Sequence, residues 1–222
     1  MEVLEMLPEE HKLMFSAEAC EEVYRSYPSV ECDDTEARQS LAKAWGNKPI
    51  LLLGPGPNAL AQVDRIKETI ARIQPQVVAI NYIPDFIPTD YLFLTNNKRY
   101  SELLGEWNPQ QELPKTVATS NVIAAEGNFD YTFRYSDLID AEADVIDNSL
   151  VMFLKLAEEL GLKDLYLAGF DGYNQADNYD NYFDMTKAYH FAQEKAAYFN
   201  DYVRAALAKL DPSIRIHFVT DS

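Results

Sequence analysis

The sequence predicts an α/β fold: a Rossmann-like three-layer sandwich on a mostly parallel sheet, preceded by a short helical arm. Three observations carry that expectation. From Pro49 onward, short apolar runs alternate with segments of helical periodicity, the pattern of βα units whose helices cover both faces of a parallel sheet. The run Ile50 to Leu53 ends in Gly54-Pro55-Gly56-Pro57-Asn58, so a buried strand passes through a tight turn into a helix start. Residues before Pro49 show helical spacing and no strand, which divides the chain into a helical arm at 1–48 and an α/β domain at 49–222.

In the arm, Ser16 caps a short helix to Tyr27, with Ala19, Cys20, Val23 and Tyr27 near one face. Asp34 or Thr35 caps a second helix toward Trp45, and Gly46-Asn47 stops it. In the domain, Ile50–Leu53 is a strand, and a helix from Asn58 to Ile73 places Leu60, Val63, Ile66, Ile70 and Ile73 at helical spacing. Strands follow at Val77–Asn81 and Tyr91–Leu94, then a short helix near Asn97 to Leu104. Lys115–Thr119 reads as a strand, with one more in Phe129–Tyr135. Asn148 caps a helix to Leu160, stopped by Gly161. Asp164–Ala168 is an apolar strand, Lys187 to Leu210 a long helix, and Arg215–Val219 the last strand. No internal repeat or low-complexity tract is evident.

The 222 residues suffice for a substantial core, and 47% hydrophobic content with 12% aromatics argues against disorder. A net charge of −17 repels phosphate backbones and anionic lipid, so neither nucleic acid nor membrane is an expected partner. Cys20 and Cys32 form no disulfide framework or metal motif and read as reduced thiols of a cytoplasmic protein. The acidic N-terminus lacks signal-peptide character, and no run reaches the ~18 apolar residues of a membrane span.

Ligands of open parallel sheets bind beyond the carboxyl ends of the strands. The polar residues expected there nominate a site. Gly54, Gly56 and Ala59 match G-x-G-x-x-[GA], with Gly56 and Asn58 offering N–H donors to an anion. Pro55 and Pro57 lack an N–H, which disfavours a dinucleotide cradle. Asn81 stands where a dehydrogenase keeps its ribose-binding acid. Its amide can contact a ribose or base edge, or hydrogen-bond its own loop. Asn96 and Arg99 follow the next strand, Lys98 and Arg99 being candidate phosphate contacts. Gly169-Phe170-Asp171-Gly172-Tyr173 follows an apolar strand. Gly169 permits close backbone approach, and Asp171 is a candidate acceptor, base or Mg²⁺ ligand. His190 is the default general base of an enzyme built on this chain. Asp177, Asp180 and Asp184 read as a solvated acidic loop, and no protein metal site is expected.

Two family resemblances arise at these residues. G-P-G-P-N after a strand, Asn81, D-Y-L-F followed by Asn96, and L-Y-L-A-G-F-D-G-Y resemble the bacterial sialyltransferase-like group. That group includes motility accessory glycosyltransferases and archaeal 6-hydroxymethylpterin diphosphokinases. The resemblance implies that the glycine turn and Asn81 contact a nucleotide. Asn58 replaces the usual Ser of the G-P-S triplet, and no catalytic His of the group matches His190. More extensively, from about Leu4 to Ser222, the chain is similar to the C-terminal region of aldolase-type proteins. These are DRE-TIM metallolyase, HMG-CoA lyase-like relatives, often described as 4-hydroxy-2-oxovalerate aldolases. The similarity rests on L-P-E-E, F-S-A-E-A-C-E-E-V-Y, D-D-T-E-A, K-P-I-L-L-L-G-P-G, N-Y-I-P, N-K-R-Y, G-F-D-G-Y and F-V-T-D-S. It implies that the arm connects to an upstream barrel and that the lyase chemistry lies outside this chain, since a barrel needs ~250 residues.

The leading expectation is therefore a binding module for a nucleotide or other phosphorylated ligand, with Mg²⁺ accompanying a nucleotide as the one candidate cofactor. The alternatives are a nucleotide-dependent transferase, glycosyl or diphosphate, and an assembly domain that contacts an aldolase barrel or a second copy of itself.

Overall fold

A computed structural model describes residues 16–106, 113–173 and 194–222. Its strands are β1 (Ile50–Leu53), β2 (Gln76–Ile80), β3 (Tyr91–Leu94), β4 (Lys115–Thr119), β5 (Tyr131–Phe133), β6 (Asp164–Ala168) and β7 (Arg215–Phe218). They form one sheet of order β5-β4-β3-β2-β1-β6-β7, and every pairing is parallel. The helices are α1 (Ala17–Ser26), α2 (Thr35–Trp45), α3 (Asn58–Ala61), α4 (Val63–Ile73), α5 (Asn97–Glu106), α6 (Tyr135–Leu138), α7 (Ser149–Glu159) and α8 (Ala196–Lys209). The fold is the expected Rossmann-like α/β sandwich.

Strand side chains alternate between faces, so each strand feeds two cores. Leu52, Val78, Phe93, Val117, Phe133 and Leu167 point to a face covered by α2, α6, α7 and α8. Leu51, Leu53, Ala79, Leu92, Leu94 and Ala118 point to the opposite face, under α4 and α5. The central strands are apolar along their whole length because both sides are covered.

The arm belongs to the first of these cores. Leu41 and Trp45 are fully buried, and the Trp45 ring meets Tyr91 edge-on at 5.5 Å. The segment between α1 and α2 is tied to β5 and the residues beyond it. The Arg134 side chain donates to the Cys32 carbonyl (2.8 and 3.0 Å), and the Arg134 N–H donates to Asp34 (3.0 Å). Ser16 and Asn148 cap their helices as expected, accepting from Ala19 and Val151 N–H groups (both 3.2 Å). Asp34 precedes α2 without a side-chain cap bond; its carboxylate is engaged with Arg38 (2.7 Å).

Three local features depart from expectation. The helix after β1 breaks at Gln62, which separates α3 from α4 and leaves Leu60 exposed. A short helix, α6, follows β5 where a continuing strand was expected. The β2–β3 and β4–β5 links form a structural repeat. Asn81 and Ser120 each donate an N–H to a strand carbonyl, of Phe93 and Phe133 respectively (both 2.8 Å). Their side chains accept from Thr95 (3.0 Å) and Tyr135 (3.1 Å) N–H groups. Asp90 and Asp130 close the two links by accepting from Val77 and Thr116 N–H groups (both 2.8 Å).

Candidate functional site

The chain runs outward from β1 to β5 on one side, then returns to place β6 and β7 on the other. The order reverses between β1 and β6, and that topological switch is where an open α/β sheet forms its ligand crevice. The two turns leaving these strands are Gly54–Asn58 and Gly169–Tyr173. They sit directly on one another. The Gly54 N–H donates to the Ala168 carbonyl and the Gly56 N–H to the Gly169 carbonyl (both 2.8 Å). A Cβ on Gly56 would lie 2.6 Å from the Gly169 oxygen and 2.7 Å from the Asp171 carboxylate. Gly169, at φ +73°, would meet the Gly54 oxygen at 2.6 Å. The glycines are thus required for turn-on-turn packing.

The N–H groups of the first turn are engaged within the protein. Besides the two glycine donors, Asn58 N–H donates to Asp171 Oδ2 (2.7 Å), Ala59 to the Gly56 carbonyl, and Leu60 to the Pro57 carbonyl. A carboxylate of the chain itself occupies the place nominated for an anion. Asp171 Oδ1 is buried without a hydrogen-bond partner. Burial pushes the Asp171 carboxyl up from its ordinary value against the lowering effect of the Asn58 bonds, and the charge on Asp221 pushes it further.

Beside this pair, three further side chains donate to Asp221. Asn58 Nδ2 donates to the Asp221 carbonyl (3.0 Å), Gln62 Nε2 to Asp221 Oδ2 (3.1 Å) and Arg65 to Asp221 Oδ1 (3.0 Å). Thr220 accepts from the Gly169 N–H (2.9 Å), which fastens the segment after β7 onto the β6 turn.

Asn81, Asn96 and Arg99 sit further along the carboxyl edge and are buried, whereas Lys98 beside them is half-buried. Asn81, at φ +58°, spends its amide locally: Oδ1 accepts from Thr95 N–H, and Nδ2 reaches Thr95 Oγ1 (3.3 Å) and Ser149 Oγ (3.0 Å). Asn96 accepts from the Arg99 N–H (3.2 Å) in the first turn of α5. The Arg99 guanidinium bonds Glu102 (2.8 Å) and lies over the Tyr82 ring at 5.4 Å. Gly54, Gly56, Asn58, Gly169 and Asp171 are therefore brought together, whereas Asn81, Asn96 and Arg99 pin strand ends and a helix start. His190 and Asp177, Asp180 and Asp184 lie outside the described residues.

Sequence reasoning passed over Gln62, Arg65 and Asp221, which meet only because β7 ends beside α4. It also passed over Asp147, a buried carboxyl that accepts from the Tyr135 hydroxyl (3.1 Å). Its position just before a cap residue was the sole signal. Among the described residues, no group of three or more His, Cys, Asp or Glu side chains is arranged to hold a metal. A half-open cavity of about 440 Å³ lies on the α5 face, lined by Leu92, Leu94, Tyr100, Leu103 and Phe129 among others, and contains none of the switch-point residues.

No protein-family model matches the chain, and no curated protein matches it.

Proposed function

We propose that this chain is a ligand-binding module, the C-terminal α/β domain of an aldolase-type protein, that takes a nucleotide or another phosphorylated small molecule at the β1/β6 switch point. One observation carries the reading: Asp171 holds a carboxylate on the Asn58 N–H, at the crevice position, while its second oxygen is buried and unpartnered. An N–H that selects an internal anion is chemically suited to an external one. A half-satisfied carboxylate gives up its place at lower cost than a fully bonded one. In this reading a phosphate oxygen takes the Asp171 position and Asp171 turns outward, where its oxygens can accept from a ligand hydroxyl or meet a Mg²⁺ that accompanies a nucleotide.

Calorimetric and thermal-shift titration with CMP, ATP, a CDP-sugar and inorganic phosphate tests it. At least one of these ligands is expected to bind at millimolar concentration or below. Asp171→Asn, which removes the competing charge, is expected to tighten binding about tenfold. The absence of any shift at millimolar ligand, in the wild type and in the variant alike, would end the proposal.

A further inference from the structure

The donors gathered on Asp221 form a second anion position beside the first. Gln62 Nε2 and Arg65 each contact a different oxygen of the Asp221 carboxylate (3.1 and 3.0 Å). Gln62 is oriented for this from both sides: its Oε1 accepts from Arg65 (2.6 Å) and from the Asp221 N–H (3.2 Å). An amide and a guanidinium converging on two oxygens of one group is also an arrangement that holds phosphate oxygens. Asn58 links the two positions, its N–H serving Asp171 and its Nδ2 serving the Asp221 carbonyl. The Arg65 and Asp221 side chains are 52% and 75% exposed. Such a pair contributes little to stability and exchanges readily with a competing anion.

Two carboxylates of the chain thus stand side by side on donors that suit phosphate. We infer that the switch-point ligand carries two adjacent phosphates, as a diphosphate ester does, and that its second phosphate replaces the Asp221 carboxylate on Gln62 and Arg65. Asp221 is then an intramolecular competitor that keeps the site closed until a diphosphate arrives. The first phosphate position rests on the function proposed above; the second rests on the side-chain donors of Gln62 and Arg65.

The test compares inorganic pyrophosphate with inorganic phosphate by calorimetry in metal-free buffer, on the wild type, Asp221→Ala and Arg65→Ala. Pyrophosphate is expected to bind more tightly than phosphate. Asp221→Ala should tighten pyrophosphate about tenfold while changing phosphate less than about twofold. Arg65→Ala should erase the preference. Equal affinity for the two anions, or pyrophosphate binding unmoved by Asp221→Ala, overturns the inference. If phosphate still binds in that case and still responds to Asp171→Asn, the proposed function stands without it. If neither anion binds any variant, both fail.

Discussion

Asp147 shows how far a single residue can depart from its sequence context. It lies between Ile146 and the cap residue Asn148, buried against α1 and α6, and Oδ1 has no hydrogen-bond partner. Burial raises its pKa, and hydrogen bonds from Tyr24 and Tyr135 oppose the rise without cancelling it. The same carboxyl contributes to raised values for the Tyr24, Tyr135 and Tyr202 phenols. Because the folded pKa lies above the unfolded one, Asp147 contributes its full stability below the unfolded value near ~4, and that contribution is lost as pH rises through the folded value. Asp147→Asn keeps an acceptor for the phenols and removes the charge. It is expected to be more stable than wild type by about 1 kcal/mol or more near neutral pH, with the gap closing as pH falls toward the unfolded value. Urea denaturation at several pH values checks this, and a gap independent of pH would refute it. Asn81, Asn96 and Arg99 teach the converse lesson. Their residue types and positions after strands suited a ligand, but each has found a partner within a few residues or across the sheet end. Sequence can nominate a polar group at an edge; only the tertiary fold decides whether its hydrogen-bonding capacity is already used.

At the scale of elements, the arm gives the clearest physical test. Its helices were legible from caps and periodicity, but its role was not, because a helix pattern does not say which surface its apolar stripe meets. Leu41 and Trp45 are buried in the core on the α7 face of the sheet, where Trp45 packs against Tyr91 of β3 and Phe153 of α7 and α2 lies against β5. Trp45→Ala is therefore expected to cost about 3–5 kcal/mol. A chain begun at Pro49 is expected to expose that face and to melt without a cooperative transition. Calorimetry on both variants decides the point, since a shortened chain with a wild-type melting curve would make the arm an appendage. The strands were read to within a residue or two because parallel strands covered on both faces are continuous apolar runs. The break at Gln62 was not legible. Continuous periodicity through Leu60, Val63 and Ile66 implies one helix, and the side chain of Gln62 meets Asp221 only after β7 is in place. The β2–β3 and β4–β5 repeat also escaped notice. Its halves share Asp-Tyr-x-Phe, but Asn81 corresponds to Ser120, so the likeness lies in hydrogen bonds more than in letters.

The whole molecule carries a net charge of −17, and the anionic ligand proposed above would approach against that field. The same charge opposes folding through self-repulsion. Raising NaCl from ~0.02 to ~0.5 M is expected to raise the melting temperature by about a few degrees and to weaken phosphate binding. A melting temperature that falls with salt would show instead that specific ion pairs, such as the Arg38 contacts with Asp34, Asp137 and Glu159, outweigh net repulsion. Among the described residues no helix is long and apolar enough to cross a membrane.

The sequence by itself determined the fold class, the strands and the Ser16 and Asn148 helix caps, because apolar periodicity, capping residues and glycine stops act over a few neighbouring residues. It also marked Gly54, Gly56, Asn58, Gly169 and Asp171, since glycines after apolar strands announce close backbone approach. Only the tertiary structure decided that these five share one place, that Asp171 takes the Asn58 N–H, and that the Asp221 carboxylate rests on Gln62 and Arg65. Those pairings join residues more than a hundred positions apart. They exist because the sheet order brings β6 and β7 back beside β1, a long-range consequence of burying both faces of one sheet that no local pattern encodes.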